Sequence, residues 1–536
     1  MKAPIATDPT AMSVADLARA YREKILSPHD VIRAHLARID RFNGVLNAYV
    51  TVADTALDEA KRVAREWRAG HDRGPLHGVP FAVKDQLTTQ GMRTTAGSRL
   101  LANWIPRSDA TVVRRARDAG AILLGKLNMT EFAFGEPRKY PYGTPRNPWD
   151  IERETGGSSS GAGAALAVGM ATIAIGEDTA GSIRQPAAYC NVVGLRPSWG
   201  LVSRHGLIPG VWHLDTVGPM ARTVEDVAHI LHAIAGRDPA DATTRGDAVP
   251  DYVASLRHDV RGVRAAIVKE LLPGPGLDGD VEAAVRTAVD TLRGLGLTID
   301  EVSIPAVQHV WAIYSAMADP EAAMTHLEHL RRSPERLGPN LRIRLASGLL
   351  VPAALARWGE RVGGPAVTRQ ILDALRAYDV LLAPTTPTAA RLIRTLPYSS
   401  PTKAQIIETQ IADRAYRATF ALAGVPSLAV PCGFTSAGLP CSLQIVGAPF
   451  ADDVVLRVGH AYEQATDWHT RRPPVDRIGR PAPAAARTRN GADARRRDRR
   501  PPPASQGTRA RSAAPGRRAP SRAARPARSR GEKTRA

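Results

Sequence analysis

The residues of this chain best suited to attack a carbonyl lie in two glycine- and serine-rich segments and one apolar run that ends in lysine. The first segment is Thr155-Gly156-Gly157-Ser158-Ser159-Ser160-Gly161-Ala162-Gly163, and the second is Gly176-Glu177-Asp178-Thr179-Ala180-Gly181-Ser182-Ile183-Arg184-Gln185-Pro186-Ala187. The run is Gly78-Val79-Pro80-Phe81-Ala82-Val83-Lys84-Asp85. Glycines let a backbone approach a ligand closely and turn its N–H groups inward. A serine among such N–H groups can attack a carbonyl carbon while the same loop stabilises the oxyanion. Serine is too weakly acidic to do this alone, but a lysine kept neutral by burial is a competent base. Lys84 lies in an apolar run, which favours the neutral amine. In a strand Asp85 points to the opposite face, so it need not hold Lys84 charged. Cleaving an amide needs both a strong nucleophile and a proton for the leaving amine.

The first segment has other readings. A phosphate-binding loop ends in Gly-Lys-Ser/Thr, and no lysine follows here. A nucleophile elbow of the Gly-x-Ser-x-Gly type matches Gly157 to Gly161 with Ser159 at its centre. That elbow follows an apolar strand, whereas Asp150-Ile151-Glu152-Arg153-Glu154 precedes this one. A flexible Gly/Ser linker accounts for the first segment but not for the second, nor for the lysine run.

Both segments resemble the amidase signature family, whose pattern runs Gly-Gly-Ser-Ser, then Asp-x-Gly-Gly-Ser-Ile/Val-Arg-x-Pro. The resemblance extends to the Lys84 run, to Gly125-Lys126-Leu127-Asn128-Met129-Thr130-Glu131-Phe132 and to Arg146-Asn147-Pro148-Trp149-Asp150. It continues through Val193 to Pro197, Asp215 to Pro219, Leu422 to Pro426 and Val430 to Gly433. It implies that Ser182 is the nucleophile, Ser158 the bridging serine beside a cis peptide bond, and Lys84 the base. It also implies an oxyanion loop formed by the N–H groups of Thr179, Ala180, Gly181 and Ser182. Ser159, Asp178 and Arg184 are expected to support that loop, with contact between Arg184 and a polar substrate group as the lesser alternative. The stretch from Asn128 to Phe134 is expected to line the cleft. The chain departs from the family pattern in two places: Ala180 stands where glycine is usual, and Glu177 where serine or threonine is usual. Alanine supplies the same N–H provided its backbone angle stays in a region it tolerates.

These residues need a scaffold. Ser13-Val14-Ala15-Asp16 and Ser27-Pro28-His29-Asp30 read as helix starts, the second with proline at the first helical position. Thr111 to Ala119 reads as a helix and Ala121 to Gly125 as the strand after it. Gly161 to Gly176 reads as a buried helix running into a strand. Leu372 to Ala377 is helical, Val380 to Pro384 a strand, Val425 to Cys432 and Leu443 to Gly447 further strands, and Val454 to Ala465 a late helix. Such alternation predicts an α/β fold with a large central sheet; the resemblance implies that this sheet is mixed and flanked by helices on both faces, the amidase signature fold. No linker interrupts residues 1–479, which are expected to form one large domain.

The net charge of +20 suggests a nucleic-acid partner until it is located. Residues 480–536 hold 18 Lys+Arg against 3 Asp+Glu, and so +15 of the total. That Arg/Pro/Ala-rich tail has almost no large apolar residues and is expected to be disordered. The remaining body is unremarkable in charge, and nucleic acid is not an expected partner. The three cysteines, Cys190, Cys432 and Cys441, are an odd count in apolar surroundings and read as buried free thiols of a reducing compartment. No spacing of Cys and His resembles a metal site, and neither metal nor cofactor is expected. Lone histidines such as His77 and His205 read as structural. The longest small-apolar stretch falls short of the roughly 18 residues of a membrane span, so a cytoplasmic location is expected. The expected function is hydrolysis of a small amide to carboxylate plus ammonia or amine. The alternative is the glutaminase component, the A subunit, of a tRNA-dependent amidotransferase. For that alternative the glutamine-holding acidic residue finds no clear match: Asp413 is one position off and Arg414 stands nearer the expected place. A homodimer is left open.

Overall fold

In this computed structural model, residues 8–134, 139–393 and 412–478 are described. The expected tail, residues 480–536, lies outside them. Eleven strands form one mixed sheet. In chain order they are β1 (Tyr49–Val52), β2 (Pro80–Lys84), β3 (Ile122–Leu127), β6 (Ile173–Asp178), β7 (Val193–Arg196), β8 (Thr216–Ala221), β9 (Arg264–Val268), β10 (Thr298–Val302), β11 (Val380–Pro384), β12 (Ser427–Phe434) and β13 (Pro440–Gly447). A separate hairpin pairs β4 (Arg146–Asn147) with β5 (Asp150–Glu154). Across the large sheet the order is β1-β3-β2-β6-β8-β7-β12-β13-β11-β9-β10. The β3–β2–β6 and β11–β9–β10 neighbours run parallel, and the strands between them are antiparallel.

Inside its two edge strands the sheet is buried on both faces, as successive residues of β9 and β11 show. Ala265 and Ile267 of β9, with Val380 and Leu382 of β11, belong to one apolar core. Their alternates Ala266, Val268, Leu381 and Ala383 belong to a second. Side chains alternate across a strand, so the two cores lie on opposite faces. The first core includes Val281, Val285 and Leu292 of the helix Gly279–Gly294. The second includes Val310, Ile313 and Tyr314 of the helix Val310–Thr325, and Val367 and Ile371 of the helix Gly364–Ala377. Burial on both faces explains why these strands read as continuous apolar runs rather than as alternating ones.

The helix starts follow the sequence signals. Ser13 and Ser27 cap helices Val14–Arg22 and Pro28–Leu46, accepting hydrogen bonds from the N–H groups of Asp16 and Asp30 at 3.1 and 3.2 Å. The expected helix-to-strand passage resolves into helix Ser160–Ala167 and β6. All three cysteines are buried free thiols. Among the described residues no helix is long and apolar enough to cross a membrane.

Candidate active site

Lys84 is the last residue of β2, which runs parallel to β6 with Val83 opposite Ile175. That register brings the end of β6 alongside the lysine. The Lys84 ammonium nitrogen is fully buried and lies 2.7 Å from Ser158 Oγ, 2.7 Å from Glu177 Oε2 and 3.2 Å from the Glu177 carbonyl oxygen. The apolar surroundings expected for Lys84 are thus only half the environment. Asp85 does face away, as expected: it accepts from the Thr95 N–H at 2.9 Å and from the Thr95 hydroxyl, and lies 3.9 Å from Lys126 Nζ. A carboxylate nevertheless reaches Lys84 from the neighbouring strand, so the reading of its surroundings as apolar alone is corrected.

Ser158 follows a cis Gly157–Ser158 peptide bond and precedes the helix Ser160–Ala167. The two glycine/serine segments dock on each other. The Ser159 N–H donates to the Ser182 carbonyl at 3.1 Å, the Ser159 hydroxyl to the Glu177 carbonyl at 3.2 Å, and the Gly157 N–H to Gln185 Oε1 at 3.2 Å. Ser159 thus ties the loops together, and it is not the centre of a nucleophile elbow.

Ser182 is half-buried, in the turn between β6 and the helix Arg184–Cys190. Asp178 organises that turn. It accepts from the N–H groups of Gly181 at 2.6 Å and Ile183 at 3.1 Å, and from Arg184 Nε and Nη2 at 3.0 Å each. Burial opposes its charge, but Arg184, Arg196 and the Gly181 N–H together hold its carboxyl well below the usual carboxylate range. Arg184 is fully buried, and its remaining terminal nitrogen donates to Gln444 Oε1 at 2.7 Å and to the Arg417 carbonyl at 3.1 Å. It is a bolt of the loop, and its alternative as a substrate contact finds no support. The Gly181 N–H, expected among the oxyanion donors, is directed to Asp178 instead.

Ala180 has a negative φ and so sits where alanine is tolerated, whereas Gly181 has φ +115°. A Cβ on Gly181 would lie 2.4 Å from Arg417 Cδ and Nε. Gly181→Ala is therefore expected to strain the turn by about 1–3 kcal/mol and to lower turnover by roughly 10- to 100-fold. Turnover near the parent's, with an unchanged melting temperature, would show that the turn adapts freely.

One wall of the region is apolar: Ala180, Phe132, Phe134, Val211 and Leu214 belong to the same core as Tyr314 and Tyr416. The Asn128–Phe134 stretch meets the serine loop at Thr130, whose N–H donates to the Ser158 carbonyl at 3.3 Å. Asn128 itself is spent on the backbone, donating to the Asn47 and Gly143 carbonyls at 2.9 and 2.8 Å. Three features went unread in the sequence. Lys126 is a second fully buried lysine, held by Leu87 O, Thr89 and Thr94, and burial brings its amine down to about 8. Arg417 packs on Gly181 and pairs with Asp413 at 2.8 Å. Asp215 meets Thr179 at 2.8 Å. Only the unusual Glu177 gave any sequence signal of this network.

A large mixed sheet carrying a lysine, a serine loop and a glycine-rich turn at adjoining strand ends defines the amidase signature architecture. The amidase family profile matches residues 30–456, and the chain belongs to that family. The chain is 39% identical over 491 residues to the A subunit of the glutamyl-tRNA(Gln) amidotransferase of Moorella thermoacetica, covering 87% of this chain and 98% of that protein. Among solved structures, the native peptide amidase of Stenotrophomonas maltophilia matches with TM-score 0.74 and 34% identity, over 86% of this chain and 98% of that one. The A subunit of the glutamyl-tRNA(Gln) amidotransferase of Thermotoga maritima matches with TM-score 0.70 and 31% identity, over 86% and 96%.

Proposed function

We propose that the chain hydrolyses an amide C–N bond through an acyl-enzyme on Ser182. The observation that carries this reading is the 2.7 Å contact between Lys84 Nζ and Ser158 Oγ in a member of the amidase family. Lys84 takes the proton of Ser158, and Ser158 takes that of Ser182 as Ser182 Oγ bonds to the amide carbon. The N–H groups of Thr179, Ala180 and Ser182 receive the developing oxyanion. The relay then runs in reverse to protonate the leaving nitrogen, and water hydrolyses the ester. The products are a carboxylate and ammonia or an amine. No step calls on a metal or a cofactor.

A second reading is favoured by the amidotransferase relatives, at 38–39% identity over most of this chain: the same half-reaction on glutamine, as the glutaminase component of an amidotransferase. It would bring partner proteins with it. The surroundings of Asp413 suit a substrate ammonium poorly. Burial opposes its charge, yet Arg417, Arg391 and Arg414 bring its carboxyl down to about 2. Arg417 takes Oδ2 at 2.8 Å, and Oδ1 makes no hydrogen bond among the described residues.

The test is ammonia release by the purified chain from simple primary and aryl amides and from glutamine, with and without the other amidotransferase components and charged tRNA. Turnover of simple amides by the chain alone supports the independent amidase. Turnover of glutamine that appears only with those components and tRNA supports the amidotransferase reading. Turnover of no amide under either condition would overturn the proposal.

A further inference from the structure

The Lys84–Glu177 pair continues into a third group. Thr179 Oγ1 lies 2.7 Å from Glu177 Oε1 and 2.8 Å from Asp215 Oδ1. Both carboxyls are fully buried. A threonine hydroxyl carries one proton and can donate to one carboxyl at a time. Two oxygen–oxygen contacts this short therefore need a second proton, carried on one of the two carboxyls. Glu177 also receives Lys84 Nζ, while Asp215 Oδ2 receives the Gly210 N–H at 2.7 Å and the Val211 N–H lies 3.0 Å from both Asp215 oxygens.

Resting on the reading of Lys84 as base, we propose that Glu177, Thr179 and Asp215 form a relay that holds one proton between two carboxyls and so sets whether Lys84 is free to accept a proton. In one arrangement the proton is on Asp215 Oδ1, which donates to Thr179, and Thr179 donates to an ionised Glu177. The Glu177 carboxylate then holds the Lys84 proton in place. In the other, the Asp215 proton has passed to Thr179 Oγ1 as the Thr179 proton passed to Glu177 Oε1. Glu177 is now neutral and Asp215 ionised. The charge beside Lys84 has moved away by the length of the hydroxyl bridge, and Lys84 gives up its proton more readily. No net charge enters or leaves the group in this exchange.

The surroundings suit either form. Arg196 of β7 is drawn to both Glu177 and Asp215, and Arg204 and the Tyr314 phenol also feel the Asp215 charge. Asp178, beside Glu177 on β6, is neutralised by Arg184 and Arg196. Burial, reinforced by the Glu177 charge, raises the Asp215 carboxyl above the usual range, as a carboxyl that keeps a proton requires. Glu177, Asp215 and the Thr179 hydroxyl are positioning groups that act through Lys84, separately from the Thr179 N–H of the oxyanion loop.

Two amide substitutions freeze the two arrangements. In Glu177→Gln, the side-chain carbonyl accepts from Lys84 while the amide donates to Thr179, as a protonated Glu177 would. In Asp215→Asn, the carbonyl accepts from Gly210 and Val211 while the amide donates to Thr179, which keeps Glu177 ionised. The readout is the rate of labelling by a fluorophosphonate probe from pH 5 to 10, which needs no knowledge of the substrate. The acidic limb of the profile is expected to move down by at least one pH unit in Glu177→Gln, a tenfold faster labelling at a fixed pH on that limb. It is expected to move up in Asp215→Asn by a similar amount. Thr179→Val breaks the bridge with both carboxyls present and is expected to follow Asp215→Asn, so the test survives if one amide variant fails to fold. Limbs that stay in place, move in the same direction in Glu177→Gln and Asp215→Asn, or move in only one of those two folded variants would overturn the relay. A Lys84→Met enzyme labelled with the parent's pH profile would instead overturn the reading of Lys84 on which the relay rests.

Discussion

Ser182→Ala is expected to lower amide hydrolysis by at least about 10⁴-fold, to the level of a mock purification, while the melting temperature stays within a degree or two. The substitution removes one oxygen from a half-buried position in a turn whose shape is set by other groups. Asp178 grips the backbone on both sides of residue 182, and Arg184 and Arg196 hold Asp178. None of these bonds uses the Ser182 hydroxyl. The measurement is ammonia release paired with fluorophosphonate labelling: the parent is labelled and the variant is not. Turnover by Ser182→Ala above the mock level would remove Ser182 as the nucleophile and leave the elbow-like Ser159 to be tested, although Ser159 is 1% exposed and bonded to the Glu177 carbonyl.

Lys84→Ala is expected to fail twice, once in catalysis and once in stability. Acid–base catalysis of this kind contributes about 10²–10⁴-fold, and that much activity should go. The stability loss comes from Glu177. With Lys84 gone, a carboxylate of zero exposure is left beside Thr179 with its counter-ion removed, and breaking a buried pair this way costs roughly 3–5 kcal/mol. Lys84→Ala with Glu177→Gln removes the stranded charge and is expected to recover most of the lost stability and none of the lost activity. Thermal melts of both variants at pH 5 and pH 8 give the comparison. Equal stability of Lys84→Ala and the parent at pH 8 would mean that Glu177 does not depend on Lys84.

By itself the sequence determined the pieces whose cause is local. Ser13 and Ser27 are short side chains that can reach a helix N–H two or three residues on, so the two helix starts are legible wherever the chain goes. Val380-Leu381-Leu382-Ala383-Pro384 is a strand buried on both faces, and a run apolar at every position has few other homes. The meeting of Lys84 with Ser158, 74 residues apart, was legible only through the resemblance to a known family, because no spacing rule joins a strand end to a distant loop.

The tertiary structure decided what surrounds that contact. Parallel pairing of β2 with β6 sets Glu177 against Lys84, and antiparallel pairing of β6 with β8 brings Asp178 opposite Thr216, so that Asp215 arrives beside Thr179. Periodicity assigns a side chain to a face of its own strand, which is why Asp85 could be placed away from Lys84. It carries no information about which strand lies alongside. Which carboxylate stands against Lys84 depends on that neighbour, since an electrostatic interaction in a buried site is set by distance in space and not by separation along the chain.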